Sequence, residues 1–271
     1  MLISLIITTY NRPDALEAVL RSLDDQTDKN FEVIVGDDGS GPETKKMLED
    51  LIPHLSFPVC HAYQEDKGFR LSRVRNLAAK KAKGEYLIFL DGDCITRPSF
   101  IAVHRQLAQS GVVVAGNRVL LSKQFTDEIL QKHIEVWRFK LLSLIKLKFS
   151  QKINRLLPLL VLPYFKKLRL WHNGWKQLRG CNFALFTKDF FTVNGCDSSF
   201  EGWGYEDSDL AVRLLRSGCK IKSGRYATAV FHLWHKENDR SQQKENLLRF
   251  QKRLHSDRVE AKIGIKELSK P

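Results

Sequence analysis

The sequence predicts an α/β fold, a doubly wound sheet that gathers its ligands at the strand ends. Short apolar runs rich in β-branched residues alternate with helical stretches from residue 1 to about residue 118. Each run empties into a polar, glycine-bearing or asparagine-bearing turn, the place where open α/β sheets put their chemistry. One of those turns, Asp91-Gly92-Asp93, hangs two carboxylates on the lip of a strand that reads as buried on both faces.

Taken in order, Leu2-Ile3-Ser4-Leu5-Ile6-Ile7-Thr8-Thr9 is the first strand. Tyr10-Asn11-Arg12 follows as a loop, and Pro13 opens a helix through Leu16, Val19, Leu20 and Leu23. Phe31-Glu32-Val33-Ile34-Val35 is a second strand running into Gly36-Asp37-Asp38-Gly39-Ser40, with a helix from Pro42. Residues 58–63 make a third strand and residues 71–83 a helix, before Tyr86-Leu87-Ile88-Phe89-Leu90 delivers the Asp91 turn. This nucleotide-binding half, residues 1–118, is followed by a basic and apolar helical insertion over 119–178. A segment at 179–238 completes the same domain, and a basic helical tail spans 239–271.

Asp91 and Asp93 stand two residues apart, so they can share a divalent cation whose hard ligands are carboxylate and phosphate oxygens. A polar turn after a strand is the plainer account of the same residues. The five cysteines are scattered and odd in number, without a CxxC pair, which favours reduced thiols over a disulfide framework or a zinc cage. No apolar stretch reaches the length of a membrane span, and the first strand lacks a basic leader. The expected location is therefore the cytoplasm.

Four signatures then occur in order: residues 6–12, residues 35–40, Gly68-Phe69-Arg70 with Arg75-Asn76, and residues 84–93. Together they resemble family 2 glycosyltransferases with the GT-A fold. Gly180-Cys181-Asn182-Phe183-Ala184 and residues 200–210 resemble the acceptor and catalytic segment of β-1,4-galactosyltransferases. The resemblance implies a Rossmann-like nucleotide-binding sheet with helices on both faces and a C-terminal acceptor-binding segment. It implies that Thr8, Tyr10 and Arg12 line a uridine, that Asp38 accepts from the uracil imide, and that Asp91 lies towards the ribose. Asp93 would coordinate Mn²⁺ or Mg²⁺ on the diphosphate, and Arg70 would add a cation. An Asx turn is the alternative for Asp38, and a solvated surface cation for Arg70.

Glu206, Asp207 and Asp209 occupy the first turn of an amphipathic helix that Gly218 stops. Asp209 precedes Arg213 by four residues and is assigned to an ion pair with it. By resemblance Asp207 is the general base that takes the acceptor hydroxyl proton, while Glu206, Asn182 and Trp203 bind the acceptor. Trp203 stands between Gly202 and Gly204, expected as a sugar-stacking platform on a mobile loop. In Val230-Phe231-His232-Leu233-Trp234-His235, after an expected edge strand, one histidine would complete the metal site. His232 is the better positional match and His235 the second, and the choice stays open.

Of a net charge of +13, a conspicuous share falls in residues 138–179, where cations alternate with leucines and acids are absent. That pattern reads as an element on an anionic membrane surface, peripheral on the cytosolic face of an inner membrane, or else as a packed insertion with a basic solvent face. Arg249, Lys252, Arg253 and Arg258 in the tail add to the patch. The functional expectation is an inverting, metal-dependent transfer of a hexose or N-acetylhexosamine from a UDP-sugar. The acceptor is a hydroxyl of a surface glycan or lipid-linked saccharide. A basic nucleic-acid-binding protein and a glycoside hydrolase are the rival classes, but no nucleic-acid module is present and a hydrolase has no use for nucleotide turns.

Overall fold

The computed structural model describes residues 1–161, 171–172 and 174–268. Eleven strands and nine α-helices occur among these residues. In the first part, β1 (Ile3–Thr9), α1 (Pro13–Asp24), β2 (Phe31–Asp37), α2 (Pro42–Leu51), β3 (Val59–Tyr63), α3 (Leu71–Lys81) and β4 (Tyr86–Asp91) alternate strictly. β5 (Cys94–Ile95), α4 (Phe100–Leu107), β6 (Val112–Ala115), β7 (Asn117–Leu120), α5 (Lys123–Lys132) and α6 (Leu141–Phe149) follow. The chain continues with β8 (Trp171–His172), β9 (Asn182–Phe186), α7 (Thr187–Thr192), α8 (Glu206–Arg216), β10 (Lys220–Ser223), β11 (Ala229–His232) and α9 (Gln243–Leu254).

An eight-stranded sheet runs in the order β3-β2-β1-β4-β9-β6-β10-β8. β1 to β4 are mutually parallel, as a buried βαβ arrangement requires, whereas β9 lies antiparallel between β4 and β6. β1 shows why this sheet needs helices on both sides, for every one of its residues is buried. Ile3, Leu5 and Ile7 pack with Leu16, Val19 and Leu20 of α1, while Ile6 points to the opposite core, with Ala78 and Ala79 of α3. Each such leucine or isoleucine contributes about 1.5–3 kcal/mol by leaving water.

β5, β11 and β7 form a second, three-stranded sheet with β11 in its centre. The strand before His232 is thus not an edge: it pairs with β7 on one side and β5 on the other. This pairing brings the segment after β11 against the turn after β4.

The insertion packs in part. Val136, Trp137, Leu144, Leu147, Ile153 and Leu159 join the main core, and the Trp137 Nε1–H and Arg138 Nη2 both donate to Asp25, at 2.6 and 2.8 Å. Phe165, Lys166, Lys167 and Arg169, which belong to the expected surface patch, lie outside the described residues. The tail is not a loose basic appendage. Arg253 of α9 is buried against Asp209 (2.5 Å) and Asp197 (2.8 Å), and Asp197 also accepts the Lys262 N–H at 2.9 Å. Arg253 therefore leaves the surface patch, because an internal acid pair claims it.

Candidate active site

The carboxyl ends of the parallel strands and the N-terminus of α8 enclose one cleft of about 580 Å³, within the range that holds a nucleotide-sized ligand. Thr8, Tyr10 and Arg12 reach it from the end of β1, Asp38 from β2, Asp91 and Asp93 from β4. Trp203, Glu206 and Asp207 face them from the α8 side, and His235 from beyond β11. Close approach of two backbones sets this up. The Gly92 N–H donates to the Thr8 carbonyl at 2.8 Å, and a Cβ on Gly92 would lie 2.8 Å from the same oxygen, so only glycine lets the two strand ends meet.

At the end of β2, the turn is held by Asp37 rather than Asp38: Asp37 Oδ1 accepts the N–H of Ser40, three residues on, at 2.8 Å. Asp38 instead reaches across the sheet, accepting from Gln64 Nε2 and from the Arg70 backbone N–H at 2.8 Å. Burial raises its carboxyl above the usual range, opposed by those two donors. Tyr10 is half exposed over the cleft and donates to Asp66 at 3.0 Å, which raises its phenol. Arg12 pairs with Asp14 at 2.9 Å. The Arg70 guanidinium turns back to the Glu65 carbonyl and does not line the cleft, so the cation expected there is not this one.

Asp91 is held by Thr8 Oγ1 at 3.4 Å and by Arg75 at 3.2 Å. Asp93 lies between two imidazoles, with His232 Nε2 3.6 Å from Oδ1 and His235 Nε2 3.3 Å from Oδ2. The two rings differ in readiness. His235 Nδ1 sits 2.7 Å from the Lys236 carbonyl, which can only accept, so Nδ1 carries the proton and Nε2 presents its lone pair beside Asp93. His232 is buried, and burial first, then Arg118, lowers its pKa against the pull of Asp93. Its Nε2 accepts from Arg118 at 3.3 Å and is therefore engaged. Asp93, Cys94 and His232 bring ligand atoms within 4.8 Å of one another. Of these, burial pushes the Cys94 thiol well up, so it stays protonated and donates to Asp93 at 3.6 Å, and the carboxylate of Asp93 with the imidazole of His235, which lines the cleft, is the pair that fits a divalent cation.

On the α8 side, no acid caps the helix. The N-cap position is Tyr205, at φ 68° and without a side-chain cap, and the carboxylates point elsewhere. Asp207 Oδ2 accepts the Gly180 N–H at 3.0 Å and Oδ1 the Ser208 hydroxyl at 3.2 Å. Glu206 is pushed up to about 7 by burial and by the adjacent Asp207, against Arg75, whose Nη1 stands 3.9 Å away. Asp209 is wholly buried and paired with Arg213 at 2.7 Å, the structural role expected of it. Trp203 lines the cleft beneath Arg240, whose guanidinium lies 4.8 Å from the ring. Gly202 and Gly204 both take positive φ, but the loop is tied, not free: the Gly202 N–H donates to the Phe69 carbonyl at 2.9 Å. Asn182 departs most from expectation. It is buried at the start of β9, its amide donating to the Asn117 and Thr228 carbonyls at 3.1 and 2.6 Å, so it bridges strands and does not reach an acceptor.

Arg75, Arg118, Arg179 and Lys236 also line the cleft, in addition to the site residues expected from the sequence. Arg75 had a signal. It follows Val74 and precedes Ala78 and Ala79 on a helix face that packs into the core, where an arginine is stable only with a partner. It is fully buried and ties Asp91 to the Gly180 carbonyl at 2.8 Å, so one side chain joins the β4 turn to the α8 side. Arg118 and Lys236 carried no such mark, because the second sheet alone brings them in.

A mixed sheet with this strand order and a carboxylate turn after its fourth strand defines the GT-A fold. The family model for "Glycosyl transferase family 2" matches residues 4–189, and that for "N-terminal domain of galactosyltransferase" matches residues 165–236. The chain belongs to glycosyltransferase family 2. It is 29% identical over 245 residues to the validoxylamine A glucosyltransferase of Streptomyces hygroscopicus subsp. jinggangensis, covering 84% of this chain and 55% of that one. It is 28% identical over 236 residues to the chondroitin synthase of Escherichia coli, covering 84% and 34%. The chain thus spans only part of the length of these relatives. Among solved structures, the mannosyltransferase PcManGT from Pyrobaculum calidifontis, in complex with GDP-Man and Mn²⁺, superposes with a TM-score of 0.62 at 16% identity. That match covers 94% of this chain and 64% of that one. Staphylococcus aureus TarS 1-349 in complex with UDP gives 0.62 at 16%, covering 98% and 68%.

Proposed function

We propose that the protein transfers a hexose or N-acetylhexosamine from a UDP-sugar to a hydroxyl of a saccharide acceptor, lipid-linked or on a surface polysaccharide, with inversion at the anomeric carbon. The observation that carries this reading is the meeting of Asp91-Gly92-Asp93 and Glu206-Asp207 across one cleft, with His235 on the free side of Asp93. Relatives and neighbours support the donor and the metal: one neighbour is described with UDP and Mn²⁺ and another with UDP-GlcNAc. A relative from Campylobacter jejuni is named for an undecaprenol-linked acceptor.

Asp93 and His235 would hold the Mn²⁺ or Mg²⁺, while His232 is engaged by Arg118. When bound, the ion supplies positive charge to the diphosphate as UDP departs. Thr8, Tyr10, Arg12 and Asp38 bind and orient the uridine, and Arg179 and Lys236 bring cations to the same cleft. Trp203 gives the acceptor ring an aromatic face, and Glu206 a hydrogen-bonding carboxyl. Asp207 takes the proton of the attacking hydroxyl at its Oδ1 or Oδ2, and the Gly180 N–H keeps that carboxylate oriented. The acceptor oxygen then attacks the anomeric carbon opposite the departing UDP, and no enzyme-bound sugar intermediate forms.

Incubation with a panel of UDP-sugars and saccharide acceptors, read by mass spectrometry and by release of UDP, tests this reading. Free reducing sugar without acceptor modification for every donor would contradict it.

A further inference from the structure

We infer that the outward face of α6 is a docking surface for an anionic lipid bilayer. The helix is apolar on two sides. Leu144 and Leu147 point into the core, whereas Leu141, Leu142, Ile145 and Phe149 share the opposite face at the 3.6-residue period. There Leu142 is 75% and Phe149 85% exposed, and Leu157 in the next turn is 62% exposed. A soluble helix ordinarily turns polar groups outward, so a row of large apolar side chains facing away from the core needs a cover.

Charge identifies the cover. Lys146 borders this face on one side and Lys148 on the other, both exposed, and Lys140 precedes the helix. No Asp or Glu occurs from residue 138 to residue 179. Cations framing an apolar stripe match the layering of a bilayer, with acyl chains at the stripe and phosphate headgroups at its borders. A protein partner with an apolar patch would not call for cations on both sides.

The surface is also joined to the cleft. Ile153 bridges Leu121, and Arg155 Nη2 donates at 2.8 Å to the carbonyl of Arg118, whose own side chain lines the cleft. Docking at α6 therefore places the cleft beside the membrane, where the head of a lipid-linked saccharide is presented. That consequence rests on the proposed transferase function, while the docking does not.

Co-sedimentation of the full chain with vesicles of phosphatidylcholine, with and without phosphatidylglycerol, tests the inference. Binding is expected with phosphatidylglycerol vesicles at low salt. It should weaken as salt rises and fall by about fivefold for each of Lys146→Ser and Lys148→Ser. Leu142→Glu with Phe149→Glu should abolish binding, with circular dichroism and UDP titration unchanged, because both side chains lie outside the core and the cleft. Absence of vesicle binding, binding indifferent to these substitutions, or a dimer that the glutamate variant disperses would each overturn the docking surface. UDP titration on the same samples reports separately on the cleft.

Discussion

Asp207 and Glu206 are neighbours in sequence with different surroundings. Asp207 is held as an acceptor by the Gly180 N–H, the posture of a base awaiting a proton. Asp207→Asn keeps the size and an oxygen for that N–H, so fold and UDP binding should persist while transfer falls by about 10² or more. Near-normal transfer by this variant, measured under saturating donor, would remove Asp207 from the chemistry. Glu206 holds its proton up to about pH 7 in the folded chain, against 4.5 for an unperturbed glutamate. The folded state thus binds more protons than the unfolded state between those values, and stability falls as pH rises through that window. Glu206→Gln should flatten this part of the pH profile in urea unfolding. An unchanged slope would show that Glu206 is not held protonated.

At the scale of elements, α8 is pinned from beneath. Asp209 accepts from Arg213 of its own helix and Arg253 of α9, all buried, so Asp209→Ala leaves Arg213 without a carboxylate and Arg253 with Asp197 alone, and should cost about 3–5 kcal/mol in denaturant unfolding. A loss below about 1 kcal/mol would mean that water reaches the pair. Strands β1, β2 and β4 and their turns were legible because a strand buried on both faces leaves an unbroken apolar run in the sequence, and Gly92 marks the end of the last, whereas β3, the partly buried edge strand, was legible from its place between two helices. The helix from Glu206 was equally plain from its leucine spacing. Asn182 was not, since its place as a bridge to Asn117 and Thr228 depends on β9 entering antiparallel beside β6, a pairing that no local pattern encodes. The choice between His232 and His235 was closed to sequence for a similar reason. It turns on Arg118 reaching His232 from β7, and on a carbonyl that fixes the tautomer of His235.

Across the whole molecule, the sheet's strand ends supply one side of the cleft, α8 supplies the acid pair, and the segment after β11 brings an imidazole to Asp93. Arg75 spans the first two, so cleft and core are not separable: its guanidinium is buried in the domain yet bonded to a cleft carboxylate. The net charge of +13 is likewise unevenly used. Arg75, Arg213 and Arg253 are internal, whereas Lys140, Lys146 and Lys148 remain at the surface around α6. In the proposed function, Asp93 with its neighbouring imidazole holds a divalent cation on which nucleotide binding depends. Calorimetric titration of UDP into the protein with Mn²⁺, and again after EDTA, tests it most directly, with Asp93→Ala as the matched variant. Binding should be clear with Mn²⁺, nearly lost in EDTA, and nearly lost in the variant under both conditions. Equal affinity in EDTA and Mn²⁺ would contradict the account.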